Sequence, residues 1–145
     1  GMQIIAHDPF LPADDPAWQG ARSCDLDQLL AQADVLSVHV PLTPTTHDMI
    51  DTKALALMKS TAILINTSRG EVVDASALAD ALRHNRLAAA ALDVFVTEPL
   101  TAATAEPFAG LDNLLLTPHI AGLTVEANIR VSAITVANVL KELRS

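Results

Sequence analysis

Arg69, Glu98 and His119 are side chains of the types that bind a carboxylic acid and move a proton. A guanidinium is a planar fork that matches a carboxylate, and it can also polarise a neighbouring carbonyl oxygen. Imidazole ordinarily titrates near neutral pH, so a histidine can exchange a proton with a substrate oxygen. A carboxylate beside the ring would orient it and stabilise its charged form. The three residue types together predict acid–base chemistry on a small carboxylic acid.

Each of these residues also has an ordinary structural interpretation when it is taken alone. Arg69 could be a surface arginine paired with an acid, in a Ser-Arg-Gly turn that Gly70 allows to bend tightly. His119, in Thr-Pro-His-Ile-Ala-Gly, could be a structural histidine that bonds a loop carbonyl. Glu98 could be a solvated carboxylate. The catalytic interpretation therefore depends on a fold that brings the three side chains together.

The elements that would position them are buried strands alternating with helices. Short apolar runs predict strands at residues 2–6, 35–38, 62–65, 89–94 and 114–116. N-cap residues of three helices are expected at Asp25, Asp51 and Asp74. A last helix, from Thr124 to about Leu143, is expected to bury the stripe Ile129, Ala133, Val136 and Leu140. The alternation predicts an α/β fold with βαβ units and a parallel sheet in one domain.

Composition excludes several classes of partner. The chain has 145 residues, of which 50% are hydrophobic and 3% aromatic, and its formal charge of −8 argues against nucleic-acid or anionic-membrane binding. The single Cys24 excludes an internal disulfide and a cysteine metal cluster, and the histidines show no metal spacing. No apolar run has transmembrane length and no signal-type segment opens the chain. We expect a cytoplasmic protein without a metal.

Candidate ligand-binding residues recur at the carboxyl ends of the predicted strands: Asp8, Pro41, Thr67 to Arg69, Asp93 and His119. In open α/β sheets ligands bind outside that edge, where loops and helix N-termini converge. A carboxylate at Asp8 would bind a ribose diol and repel a 2′-phosphate, which favours NAD over NADP, although an ordinary Asp-Pro turn is the alternative. Asp93 is either a buried acid with a partner or a ligand on the nicotinamide side.

Four segments in order resemble the D-isomer-specific 2-hydroxyacid dehydrogenases, over almost the whole chain. They are residues 39–43 (His-Val-Pro-Leu-Thr), 65–70 (Ile-Asn-Thr-Ser-Arg-Gly) with Val73-Asp74, 91–95 (Ala-Leu-Asp-Val-Phe) leading to Glu98-Pro99, and 117–122 (Thr-Pro-His-Ile-Ala-Gly). The resemblance implies that residues 1–145 are a Rossmann-type NAD-binding domain with a doubly wound parallel sheet, without the family's substrate domain. It also implies hydride transfer between NAD(H) and a 2-hydroxy or 2-keto acid.

The resemblance implies a role for each matching residue. Arg69 would anchor the substrate carboxylate, His119 would be the acid/base, and Glu98 would be its partner. Glu98 favours the hydroxyacid branch over the related formate dehydrogenases, where glutamine is usual. Asp8 would lie on the adenosine ribose, and the other residues expected around the cofactor are Pro41, Thr67, Ser68, Arg69, Asp93, His119 and Gly122.

The sequence contains no Gly-x-Gly-x-x-Gly, since its glycines lie at positions 1, 20, 70, 110 and 122. We therefore expect an incomplete sheet that lacks the family's first strand, helix and glycine-rich loop. That strand would lie between the strands at 2–6 and 62–65. The expectation is that these two strands pair directly or that the chain forms a homodimer, because unpaired edges template association. Activity would be impaired, and the alternative is a non-catalytic oligomeric remnant of such an enzyme.

Overall fold

Short parallel strands alternate with helices in the computed structural model, which describes residues 1–144. The strands are β1 (Ile5–Ala6), β2 (Arg22–Ser23), β3 (Val35–Val38), β4 (Ile63–Asn66), β5 (Ala89–Leu92) and β6 (Leu114–Leu116). The α-helices are α1 (Leu26–Gln32), α2 (Thr52–Leu57), α3 (Ala75–Arg83) and α4 (Val125–Glu142). Short 3-10 helices span Pro16–Trp18, Gly70–Val72 and Glu106–Phe108.

The strands form two parallel sheets. The larger has the order β3-β4-β5-β6, and in its register Val38 lies beside Asn66, which in turn lies beside Leu92. β1 and β2 form a separate parallel pair. Because all four strands of the larger sheet run the same way, the loops that follow them meet at one edge. The predicted α/β fold with parallel strands is confirmed.

One face of the larger sheet forms the core. Side chains alternate between the two faces of a strand, and those on the inner face, such as Leu64 and Leu92, are buried with residues of α1, α2 and α3. On the outer face Val35, Ile63 and Leu115 are exposed. Parallel sheets are usually covered on both faces, so this outer face is an uncovered apolar surface in the described part of the chain.

The three helices that cover the core begin where the sequence predicts. The carboxylates of Asp25, Asp51 and Asp74 each accept main-chain N–H groups in the first turn, at 2.7 to 3.0 Å. Such an N-cap contributes about 1 kcal/mol, because it satisfies donors that have no partner within the helix. Asp51 and Asp74 also fix the ends of the loops that follow β3 and β4.

The expected pairing of residues 2–6 with residues 62–65 is wrong. β4 lies between β3 and β5 and has no free edge, and β1 pairs with β2 instead. Two residues, Arg22–Ser23, make up β2, and they contain no apolar run that could have marked a strand. The predicted strand order contains no strand at residues 22–23. It therefore places β3 beside β1, in the position that β2 occupies. Within residues 1–144, the strands that have a free edge are β1, β2, β3 and β6.

The expected buried stripe on α4 is also wrong. The helix has the predicted span and the N-cap Thr124, but it buries none of its residues. Ile129, Val136 and Leu140 are exposed, as is Ala133. An amphipathic pattern shows which side of a helix is apolar, but burial requires a neighbour that packs against that side. No helix among residues 1–144 is both long enough and apolar enough to cross a membrane.

Candidate active site

The loop after β4 is fixed by a buried asparagine. Asn66, the last residue of β4, is 1% exposed, and its Oδ1 accepts both the main-chain N–H of Ser68 at 3.0 Å and its hydroxyl at 2.8 Å. The Nδ2 of Asn66 donates to the carbonyl of Arg69 at 2.9 Å. These bonds hold the loop against the strand end, so that the Arg69 side chain projects outward, where it donates to the Ser68 carbonyl at 2.6 Å.

Gly70 lies in close contact with the loop that follows β5. A Cβ at position 70 would lie 2.1 Å from the carbonyl carbon of Phe95 and 2.4 Å from the nitrogen of Val96. The φ angle of Gly70 is not in the left-handed region, unlike those of Gly20 and Gly110. The tight bend expected from the sequence is therefore not what requires glycine here. Glycine is required because two main-chain segments, at Gly70 and at Phe95–Val96, lie in close contact.

Asp93 organises the loop that carries His119. It is buried at the end of β5, and its carboxylate accepts the hydroxyl of Thr117 and the main-chain N–H groups of Ile120 at 3.0 Å and Ala121 at 2.9 Å. His119 has a φ of 55°, in the left-handed region. A residue in that conformation costs about 1–2 kcal/mol unless its surroundings hold it. Asp93 supplies that support. The consecutive N–H groups of Ile120 and Ala121, beside the left-handed His119, form a concavity that binds an anion, and the Asp93 carboxylate is that anion.

Asp93 is ionised at neutral pH despite its burial. Burial alone would raise the pKa of Asp93, but the hydrogen bonds from Thr117, Ala121 and Ile120, together with the nearby charge of His119, outweigh it and lower the pKa below its ordinary value. The carboxylate thus remains charged at one end of the loop, where all three donors point at it.

Glu98 and His119 form a hydrogen-bonded pair. Nδ1 of His119 lies 2.7 Å from Oε2 of Glu98, and Oε1 of Glu98 accepts the main-chain N–H of Phe95 at 2.9 Å. The hydrogen bonds from His119 and Phe95 lower the pKa of Glu98, so this carboxylate is ionised at neutral pH. An ionised carboxylate can only accept, so Nδ1 carries the hydrogen of this bond. The side chains of His119 and Glu98 are 50% and 35% exposed, and Nε2 is left for a ligand.

The three predicted catalytic residues line one cleft. Its volume is about 240 Å³, and its walls are Arg69, Gly70, Glu71, Val94, Phe95, Val96, Glu98 and His119. The three polar or charged side chains that are buried among residues 1–144, namely Asn66, Ser68 and Asp93, lie at the same edge of the sheet. A cation, an ionised carboxylate and an imidazole therefore face a common space that a small acid could enter.

A family model supplies the observation that decides the family. Residues 1–121 match the model of the D-isomer specific 2-hydroxyacid dehydrogenase, NAD binding domain. The chain belongs to this family. The resemblance read from the four sequence segments is confirmed, and so is NAD as the cofactor of this type of domain.

Related proteins carry the same fold. The chain is 53% identical, over 99% of its length, to the (S)-sulfolactate dehydrogenase of Chromohalobacter salexigens, of which it covers 46%. The NAD-complexed D-isomer specific 2-hydroxyacid dehydrogenase of Lactobacillus delbrueckii ssp. bulgaricus matches 99% of the chain with a TM-score of 0.84 and 32% identity, and the chain covers 46% of it. The D-lactate dehydrogenase of Aquifex aeolicus, complexed with NAD and lactic acid, matches 99% of the chain with a TM-score of 0.83 and 34% identity, and the chain covers 47% of it. The chain thus spans less than half of each.

The residues expected around NAD in this dehydrogenase domain are spread along the sheet edge. Asp8 follows β1, is exposed, and accepts the main-chain N–H of Phe10 at 2.9 Å, which is the turn geometry considered as its alternative. Pro41 and Thr67 are exposed after β3 and β4, and Gly122 is exposed just before α4. Ser68 is buried by its bonds to Asn66. None of Asp8, Pro41, Thr67, Ser68 and Gly122 lines the cleft of Arg69, Glu98 and His119.

Three residues that build the site have no role in the predictions made from the sequence. Asn66 holds the Arg69 loop, Thr117 donates to Asp93, and Glu71 adds a second carboxylate to the cleft wall. A signal existed for Asn66, because an amide at the end of the apolar run Ile-Leu-Ile must be buried with partners. The bond between Thr117 and Asp93 joins residues far apart in the sequence, so no local pattern could reveal it.

Proposed function

We propose that this protein is an oxidoreductase that transfers a hydride between NAD(H) and a small 2-hydroxy or 2-keto acid. One observation carries the proposal: the Glu98–His119 pair, held at 2.7 Å, opens into the same cleft as the Arg69 guanidinium. A 2-keto acid presents a carboxylate next to a carbonyl. An arginine and an imidazole on the walls of one cleft match those two groups.

Each residue has a chemical task in the proposed reaction. Arg69 binds the substrate carboxylate through its planar fork of N–H donors. His119, protonated at Nε2, donates that proton to the ketone oxygen during reduction, and Nε2 takes it back during oxidation. Glu98 stays ionised, keeps the hydrogen on Nδ1, and stabilises the charged ring. Because Nδ1 is occupied, Nε2 is the nitrogen that exchanges the proton with substrate.

The residues at the sheet edge fit a nicotinamide dinucleotide. Asp8 offers an exposed carboxylate for ribose hydroxyls, and no atom lies within 4 Å of the Cβ position of Gly122, which leaves room for a ligand against the main chain. Pro41, Thr67, Ser68 and Asp93 complete the proposed set, with Arg69 and His119 beside the nicotinamide. When bound, NAD supplies the hydride acceptor and NADH the hydride donor.

The test is NADH consumption with the keto acids that correspond to the 2-hydroxy acids in the relatives' names: sulfopyruvate for the (S)-sulfolactate dehydrogenase and pyruvate for the D-lactate dehydrogenase. We expect turnover of at least one, and a loss of kcat of roughly 10²- to 10⁴-fold in His119→Gln. The matched control is His47→Gln, because His47 also pairs with a carboxylate, Asp48, at 2.9 Å, but does not line the cleft. No turnover of any keto acid, or equal losses in the two variants, contradicts the proposal.

We also propose that the chain forms a homodimer, on the strength of its uncovered apolar surfaces. Val35, Ile63 and Leu115 on the outer sheet face are exposed, and so are Ile129 and Val136 on α4. Exposed apolar area of this kind favours association. Sedimentation equilibrium should give twice the chain mass, and a monomer at all concentrations would contradict the dimer.

A homodimer that binds no NADH would instead favour a second function, a non-catalytic oligomeric module.

A further inference from the structure

We infer that Gly70 is a positioning residue of the active site: its direct main-chain contact with Phe95 and Val96 sets the separation between the loop of Arg69 and the loop that holds Glu98. The inference rests on the proposed function, in which Arg69, Glu98 and His119 act on one substrate.

The contact leaves no room for a side chain. A Cβ on Gly70 would lie 2.1 Å from the carbonyl carbon of Phe95, 2.4 Å from the nitrogen of Val96 and 2.6 Å from Cα of Phe95. Ordinary van der Waals contact between such atoms is about 3.5–4 Å. All three atoms belong to the main chain, so no rotamer change can relieve the overlap. Any larger residue must move one of the two loops by more than an ångström.

Gly70 and Phe95 connect the loops that carry the proposed catalytic groups. On one side, Arg69 directly precedes Gly70, and its carbonyl is held by Asn66. On the other side, the N–H of Phe95 donates to Oε1 of Glu98, whose Oε2 holds His119. The path from the guanidinium to the imidazole therefore runs through the contact between Gly70 and Phe95. A displacement at that point would be passed to Glu98 first and to His119 next.

A conformational reason for glycine does not account for position 70. Gly20 and Gly110 have φ angles of 90° and 72°, and neither has an atom within 4 Å of its Cβ position. They are glycines because of backbone conformation. Gly70 shows the opposite combination, a crowded Cβ position without a left-handed φ. Gly110→Ala is thus a matched control, since it introduces backbone strain away from the cleft.

The experiment is heteronuclear NMR of the isotopically labelled protein and its variants. Two signals report the pair: the ring nitrogens of His119, whose Nδ1 bonds Glu98, and the amide proton of Phe95, which bonds the same carboxylate. We expect Gly70→Ala to lose both hydrogen-bond signatures and to resemble Glu98→Ala, in which the carboxylate is gone. Gly110→Ala should retain both. A folded Gly70→Ala with both signatures intact overturns the inference.

Two further measurements decide the matter if Gly70→Ala does not fold. In the unchanged protein, the Hα protons of Gly70 should give strong nuclear Overhauser effects to Hα of Phe95 and to the amide proton of Val96. Val96→Ala trims an exposed side chain but keeps the main chain, so it should retain both His119 and Phe95 signatures. Missing Overhauser effects, or a loss of the signatures in Val96→Ala, overturns the inference. None of these signals requires turnover, so an inactive protein that shows them contradicts the proposed function alone.

Discussion

The carboxylate of Asp93, at the end of β5, accepts the main-chain N–H of Ala121 at 2.9 Å. Its other oxygen accepts the N–H of Ile120 at 3.0 Å, so the two residues that follow His119 are both tied to one buried acid. Because His119 is in the left-handed conformation, these bonds fix the direction in which the imidazole leaves the loop. Asp93 is thus a buried acid with partners, which is one of the two interpretations considered from the sequence, and it holds the loop of the proposed acid/base.

Replacing Asp93 with asparagine should destabilise the protein by about 1–3 kcal/mol. The amide keeps the shape of the side chain, but its NH₂ group would face a main-chain N–H, leaving that partly buried donor without an acceptor. Urea denaturation measures the loss. The matched control is Asp112→Asn in an exposed position, where a change within about 0.5 kcal/mol is expected. Equal stability of the two variants would contradict the role assigned to Asp93.

Stability should fall in acid because of Asp93 and Glu98. Both pKa values are lowered in the folded protein, from ordinary values of 3.8 and 4.5. A group with a depressed folded pKa stabilises the protein above its ordinary pKa, and the contribution is lost as pH falls through the folded value. The free energy of unfolding should therefore be level near neutral pH and decrease below about pH 4. In Asp93→Asn the decrease should be smaller, and an identical acid limb in the variant would count against this explanation.

Replacing Glu98 with glutamine should weaken the proton transfer without unfolding the chain. The one oxygen of the amide can accept either the N–H of Phe95 or the Nδ1–H of His119, and its NH₂ group, a donor, faces the other, so one of the two bonds is lost. A lost hydrogen bond to a charged group is worth about 1.5–3 kcal/mol, so kcat should fall roughly tenfold to hundredfold. Steady-state kinetics across pH checks this, with Glu106→Gln as the exposed control outside the cleft. A kcat equal to that of the unchanged protein would show that the charge of Glu98 has no part in the reaction.

The sequence predicted those parts of the fold that are written in local patterns. The caps Asp25, Asp51 and Asp74 and the strands at 35–38 and 114–116 were found because a cap or an apolar run needs only its neighbours in the chain. β2 was missed because Arg22–Ser23 is short and polar, and its strand conformation comes from pairing with β1. That single omission shifted the strand order and produced the wrong pairing for β4.

The candidate site was predictable to the level of residue types at a common sheet edge. Parallel strands explain why Arg69 and His119 approach each other, since both follow strands of one sheet. The contact of Gly70 with Phe95 was beyond reach, because it joins two loops whose separation depends on the packing of the whole sheet. α4 shows the reverse limit: its apolar pattern was visible, but the pattern could not say whether anything described packs against it.

Replacing Arg69 with lysine should raise KM for the keto acid more than it lowers kcat. A lysine keeps the positive charge but offers a point charge in place of the planar fork, so the carboxylate loses one of two parallel hydrogen bonds. A lost hydrogen bond to a charged group is worth about 1.5–3 kcal/mol, which corresponds to a KM increase of roughly tenfold to hundredfold. Arg130→Lys on the exposed face of α4 is the control and should leave KM unchanged. If Arg69→Lys binds the keto acid as tightly as the unchanged protein, the carboxylate is held elsewhere, and the assignment of Arg69 as its anchor is wrong.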